Sequence, residues 1–441
     1  MLMESARASL SGRIPHSRGM LAVSPVLVFL VLYLVVSVAV GDFYRMPIAV
    51  ALVVASVWAV VVYRGEPLHR RVEVFSREAG SPNVMYMIWI FILAGAFAEV
   101  AKAIGAIDAT VNLAVGCLPY RFLVPGLFLA ACFISLSIGT SVGTVVALTP
   151  LAVEFARAGG ASEPFFVAVV LGGAFFGDNL SFISDTTIAA TRTQGCRMND
   201  KFKANLWIAL PAALITLAVY VVLGTDAGAV EVRDDVNAWL VLPYVVVILT
   251  AVMGVNVTAV LILGLLTAVA VALADGQELL QLAGYMGAGI DSMGNLIIVT
   301  LLAAGMLGVI KAIGGINYIL QCLTARISGV RGAQASIALL VGIVNLCTAN
   351  NTVAIITVGS LSKNISERYG IEPRKAASIL DTCSCIVQCL IPYGAQTLLA
   401  AALAGISPVA PFPYLYYPWA LAFMVLLSVM VGRSRGTALA S

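Results

Sequence analysis

Long apolar runs, each closed by a short polar or Gly/Pro-bearing segment, dominate this chain. Runs of spanning length lie at 21–41, 47–63, 84–105, 122–157, 204–224, 239–253, 257–274, 293–310, 336–359 and 415–432. About 20 apolar residues in a helix cross the roughly 30 Å hydrocarbon core of a bilayer, so the pattern predicts membrane-spanning helices. Two further stretches, 164–190 and 376–405, are apolar but broken by Gly, Asp, Asn, Ser and Thr. A lipid-facing helix has no use for those residues, whereas a re-entrant hairpin or an interrupted helix buried in protein accommodates them. The expected fold is an all-α polytopic membrane protein.

Composition agrees and narrows the function. Of 441 residues 61% are hydrophobic and 11% charged, and the mean hydropathy is +1.01. Soluble chains run at about 45–50% apolar and about 25% charged. A soluble enzyme, a nucleic-acid binder and a disordered scaffold are therefore excluded, and the lipid bilayer is the expected surrounding. There is room for roughly ten to twelve spans. No HExxH, nucleophile elbow or phosphate loop occurs, so the chain does not read as an enzyme, and no cofactor is expected. The eight cysteines are irregularly spaced; Cys383, Cys385 and Cys389 have no histidine near them and no CxxC spacing, and read as small buried apolar residues. His16 and His69, the only histidines, lie in polar flanks, which excludes a histidine relay within the membrane. The run 21–41 exceeds a signal-peptide core, so a retained first helix is expected.

Positive charges set an orientation. Arg7, Arg13 and Arg18, then Arg64, Arg70, Arg71 and Arg77, then Arg192, Arg197, Lys201 and Lys203, then Arg433 and Arg435 belong on the cytoplasmic side. The segments 225–238 and 275–291 are acidic and read as the outer face. The layout is a cytoplasmic tail at 1–20, a first transmembrane repeat at 21–224, an external linker at 225–238, a second repeat at 239–432 and a cytoplasmic tail at 433–441. Both termini are cytoplasmic in an inner (plasma) membrane. One cluster resists: Lys363, Arg368, Arg374 and Lys375 fall outside by this count, which leaves the topology around 360–376 open by one crossing.

The two halves resemble each other. AKAIGAID at 101–108 recurs as IKAIGGIN at 310–317, with Lys102 answered by Lys311. Thr140 and Thr144 in TSVGT answer to Thr348 and Thr352 in TANNT, and Asp178, Ser181 and Ile183 answer to Asp381, Ser384 and Ile386. Three ordered matches argue for duplication of a unit of about 200 residues. An odd number of crossings per unit makes the copies two inverted-topology repeats, an arrangement that places transport sites near the membrane midplane.

The candidate chemistry lies in GGAFFGDNLSFISDTTIAATRTQG, 172–195. Asp178 and Asp185 are seven residues apart, sharing a face on a continuous helix or converging across a break. Each is costly in hydrocarbon unless paired, neutralised or bound to a cation. Asn179, Ser181, Ser184, Thr186 and Thr187 add the oxygen donors that a dehydrated Na+ requires, with Asp178, Asp185 and Thr186 as the nearest Na+ ligands. A carboxylate that takes either Na+ or H+ is the simplest coupling device. Helix packing explains the Ser and Thr hydroxyls better than it explains the two acids. Asp381 and Ser384 are the second-half candidates. Glu99, Thr140, Thr144, Asn345, Asn350, Asn351 and Thr352 are candidates for substrate contact or gating. An arginine close behind the polar run, Arg192 or Arg197, could hold a carboxylate, or could simply obey the positive-inside rule.

GDNLSFISDTT resembles the GD-x-x-S-x-x-SDTT signature of the NhaC-type sodium/proton antiporter family, and the likeness in hydropathy and repeat layout extends over roughly 80–430. The resemblance implies a secondary transporter of two inverted repeats exchanging Na+ for H+. Carried over by position, Asp178, Ser181, Ser184, Asp185, Thr186 and Thr187 match the signature, and Asp381 with Ser384 is the second-half match. The continuation IAATRTQGCRMNDKFKANL departs from the usual pattern in bringing Arg192 and Arg197 close behind the signature. The family also covers carriers of organic acids and amino acids, so Na+- or H+-coupled transport of a small carboxylated metabolite is the alternative. The sequence leaves a homodimer open.

Overall fold

The computed structural model describes residues 15–40, 47–117, 119, 122–182, 184–223, 237–324 and 329–431. Arg7, Arg13, Arg433, Arg435 and nearly all of the 225–238 linker lie outside the described residues. Among those described, twenty α-helices and no strands occur. Nine segments are long and apolar enough to cross a membrane. Side chains such as Trp207, Val222, Leu266 and Leu426 stay exposed on the helix exteriors, as a lipid-facing surface requires.

The first ten helices and the last ten repeat one another. The first set is α1 (His16–Val40), α2 (Ile48–Val62), α3 (Leu68–Ala79), α4 (Pro82–Ala103), α5 (Ala106–Cys117), α6 (Leu123–Ile138), α7 (Ser141–Ala158), α8 (Glu163–Leu180), α9 (Asp185–Gln194) and α10 (Met198–Leu223). The second is α11 (Leu242–Val252), α12 (Val257–Ala274), α13 (Leu279–Ser292), α14 (Gly294–Ala312), α15 (Gly315–Thr324), α16 (Gly329–Thr348), α17 (Asn351–Arg368), α18 (Pro373–Leu390), α19 (Ala395–Ala404) and α20 (Tyr416–Val431). Their contacts are reciprocal: α3 packs on α14 and α13 on α4, α7 on α19 and α17 on α9, while α10 meets α20. The AKAIGAID and IKAIGGIN segments fall at the same joint in each copy, with Gly105 (φ +78°) and Gly314 (φ +84°) turning the chain between helices.

Two kinds of interruption shape the centre. In α6–α7 and α16–α17 the chain reverses over two residues and the two helices pack on each other, making re-entrant hairpins. In α8–α9 and α18–α19 a break of four residues separates two segments of one crossing. The runs 122–157 and 336–359 are thus hairpins that return to the face they entered, and not spans. This removes the surplus crossing of the sequence count. The end of α9 accordingly meets the α17–α18 region: a Cβ on Gly195 would stand 3.7 Å from Lys363 Nζ, and Arg374 feels the charge of Asp200. The Lys363–Lys375 cluster shares a face with Arg192 and Arg197. In the first copy the matching α7–α8 joint lies at the other end of the α8–α9 crossing, so the repeats are inverted. The 275–291 segment is also more than a loop, since 279–292 forms α13 and packs along α4.

Small residues permit the tight central packing. Gly173 and Gly177 of α8 face α6 so closely that a Cβ would collide with Ala131 and Ser135. Across the same contact Ser135 Oγ donates to the Ala174 carbonyl at 2.6 Å. Its counterpart 210 residues on, Asn345, donates through Nδ2 to the Ser384 carbonyl at 2.8 Å.

Candidate ion-coupling cavity

The hairpin tips place backbone ends in the protein's interior. Gly139 ends α6 in the left-handed region (φ +74°), where glycine carries no Cβ penalty. Thr140 is then extended and α7 starts at Ser141. Ala349 holds the same place in the second tip at φ +49°, the sole non-glycine with positive φ among the described residues. Asn350 follows as N-cap, its Oδ1 accepting from Val353 N at 3.0 Å.

A helix N-terminus leaves N–H groups without intrahelical partners and attracts negative charge. Asp178, in the last turn of α8, supplies it: Oδ1 accepts from Ser141 N at 3.0 Å and Oδ2 from Ser141 Oγ at 2.5 Å. Asp185 opens α9 at the other side of the break and is exposed. Both acids line one cavity of about 510 Å³. Ser184, Thr186 and Thr140 join them from the first repeat, and Asn350, Asn351 and Thr352 from the second.

The other expected site residues lie behind this wall. Where α8 stops at Leu180, its last carbonyls lose their helical donors. The Asp178 carbonyl accepts from Thr186 Oγ1 at 3.3 Å. The Asn179 carbonyl accepts from Lys201 Nζ at 2.9 Å and Asn205 Nδ2 at 2.8 Å, both on α10. Lys201 is 1% exposed and pairs with Asp381, 0% exposed, at 2.7 Å. Thr187 Oγ1 accepts from the same ammonium at 2.6 Å, and Asp381 Oδ2 also accepts from Asn205 at 2.7 Å. Lys201 is therefore no loop charge setting orientation; it is the internal partner of Asp381. The spacing of Lys201 and Asn205, one helical turn apart beside the apolar run 204–224, was the signal in the sequence.

Asn179, Ser181, Thr187, Asp381 and Ser384 do not reach the cavity. Ser181 Oγ donates to the Leu136 carbonyl at 3.0 Å and Ser384 Oγ to the Asp381 carbonyl at 2.9 Å. Asn345 is the α16–α18 strut already described, Thr144 donates back to the Thr140 carbonyl at 3.3 Å, and Glu99 sits on α4 against Gly289 of α13. The cavity wall adds residues that sequence reasoning did not single out, Gln388 and Gln396 above all, and it includes Arg192.

The helix bounds also correct the internal alignment. α8 and α18 begin and end 210 residues apart, as do α9 and α19. Asp178 is therefore answered by Gln388, and Thr140 by Asn350. The match of Asp178 with Asp381 is seven residues out of register, one near-repeat of the helix, which is why the pattern looked plausible.

The Na+/H+ antiporter family matches the chain over residues 10–225 and 236–433. The malate-2H+/Na+-lactate antiporter of Bacillus subtilis is 22% identical over 391 residues, spanning 80% of this chain and 82% of the relative. The Na+/H+ antiporter NhaC of Alkalihalophilus pseudofirmus is 23% identical over 379 residues, 78% of this chain and 82% of the relative. The arginine/ornithine antiporter ArcD of Halobacterium salinarum is 21% identical over 336 residues, 67% of this chain and 69% of the relative. These relatives differ in named cargo and share coverage of both repeats. With its two hairpins, two interrupted helices and a family match that takes in nearly the whole sequence, the chain belongs to the Na+/H+ antiporter family.

Proposed function

We propose that the chain is an inner-membrane secondary transporter that exchanges Na+ for H+ by alternating access, with both termini cytoplasmic. The observation that carries this reading is the position of Asp178. Its carboxylate stands in the wall of a cavity shared by both repeats, between the first hairpin tip and the first helix break. A carboxylate there takes a proton or a dehydrated cation, and each occupant excludes the other. Asp185, Ser184, Thr186 and Thr140 surround it with hard oxygen donors suited to Na+ as substrate. Asn179, Thr187 and Asp381 act on the site indirectly, by fixing the end of α8 that presents Asp178. Acid-loaded proteoliposomes should show Na+-evoked dequenching of an internal pH dye, abolished in Asp178→Asn. No response to any monovalent cation would sink the reading.

One observation favours a second cargo. Arg192 lines the cavity and has no ion-pair partner among the described residues, and about 510 Å³ is ample for a small organic anion. On this reading Arg192 binds a carboxylate through its planar fork, and the ion gradient drives exchange of an organic or amino acid. Accumulation of a labelled acid only under an Na+ or pH gradient, lost in Arg192→Gln, tests it; failure of a broad panel to accumulate removes it.

A further inference from the structure

The pseudo-twofold relation makes the halves of the cavity comparable position by position. At the first tip, the last turn of α8 presents Asp178 to Ser141. At the second tip, the last turn of α18 presents Gln388, which is 1% exposed. Its Nε2 donates to the Ala349 carbonyl at 3.0 Å and to Gln396 Oε1 at 3.0 Å. A carbonyl only accepts, so the amide must turn its NH2 end to the tip. The remaining acid of the first half changes as well: Asp185 is answered by Ala395, and its neighbour Thr186 by Gln396.

We infer that the chain carries one Na+ per cycle, at Asp178, and that the Gln388 amide fills the matching cation position of the second half. This rests on the Na+/H+ reading above. The NH2 group brings partial positive charge and two donors to the oxygens a cation would otherwise coordinate, without the cost of dehydrating an ion. Asp381, the other buried acid at the centre, supplies no second site because the Lys201 ammonium already sits on it at 2.7 Å. The amide pair also reaches across the axis. Gln396 Nε2 donates to Ser141 Oγ at 3.0 Å, which leaves the Ser141 proton directed at Asp178. Gln388 and Gln396 are thus positioning residues for the one cation site.

The test counts bound ions. Purified full-length protein, dialysed to equilibrium against radiolabelled Na+, should saturate at one Na+ per chain, and exchange in proteoliposomes should depend hyperbolically on Na+. Gln388→Glu restores an acid to the second tip and should raise the count to two with a sigmoidal dependence. Asp178→Asn should bind none. Two ions on the native protein overturn the inference while leaving Na+/H+ exchange standing. So does a single ion on a Gln388→Glu variant that remains monodisperse with native-like melting. If that variant does not fold, the native count and its loss in Asp178→Asn decide the matter. A native protein that neither binds nor exchanges Na+ overturns the inference together with the reading beneath it.

Discussion

Lys201→Met removes the ammonium from a centre with no access to water. Asp381, 0% exposed, would then keep only neutral donors, Asn205 at Oδ2 and the Thr186 hydroxyl. An uncompensated buried charge of this kind costs about 3–5 kcal/mol. The Asn179 carbonyl retains Asn205 at 2.8 Å, and Thr187 loses one neutral acceptor role, so hydrogen bonding adds only about 1 kcal/mol. Asp381→Leu alone strands the ammonium and should cost a similar amount. The double variant Lys201→Met/Asp381→Leu replaces the pair by apolar groups of comparable volume and should return to within about 1–2 kcal/mol of native. A double-mutant cycle therefore should yield a coupling of at least about 3 kcal/mol, far above the few tenths typical of independent sites. Denaturant unfolding in mild detergent, followed by tryptophan fluorescence, measures all four proteins. Additive losses, with the double variant as unstable as the two singles combined, would refute the argument that the pair acts as one buried unit.

The Glu78–Lys311 pair, 2.6 Å long but about one-third exposed at each partner, offers a contrast. Water screens it, so Lys311→Met should change stability by less than about 1 kcal/mol, measured in the same unfolding assay. Gly177→Ala should destabilise by about 1–3 kcal/mol or more because the new methyl collides with Ser135. Gly126→Ala meets nothing within 4 Å and should be neutral or stabilising by up to about 1 kcal/mol through helix propensity; equal melting of the two alanine variants would contradict the packing account. Asp185→Asn, at an exposed position on the cavity wall, should leave exchange in place and raise the half-saturating Na+ about three- to tenfold. Initial dequenching rates across an Na+ series give that value, and an unchanged half-saturation would remove Asp185 from the site.

Much of the fold was legible along the chain because run length and hydropathy are local properties. The helices and the polar segment 172–195 follow from residues close in sequence, and the duplication, with Lys102 answered by Lys311, shows as a match between two short runs. Re-entrance was harder to read. A hairpin of two apolar helices has the same composition as one long span, and only the two-residue reversals at Gly139–Thr140 and Ala349–Asn350, with the packing that follows them, separate the cases. That distinction moved Lys363 and Arg368 to the face occupied by Arg192.

The site divided in the same way. The sequence by itself determined a membrane protein of two related halves with acids, amides and hydroxyls concentrated at a few interrupted positions, since burying such groups in hydrocarbon demands a reason that any one segment displays. The tertiary structure alone decided which groups meet. Asp178 finds Ser141 at a separation of 37 residues, whereas Asp381 finds Lys201 at 180 and Gln396 finds Ser141 at 255. The physical reason is that a buried charge is settled by the nearest available partner in space. For Asp178 that partner is a helix end beside an open cavity; for Asp381 it is an ammonium sealed inside the protein.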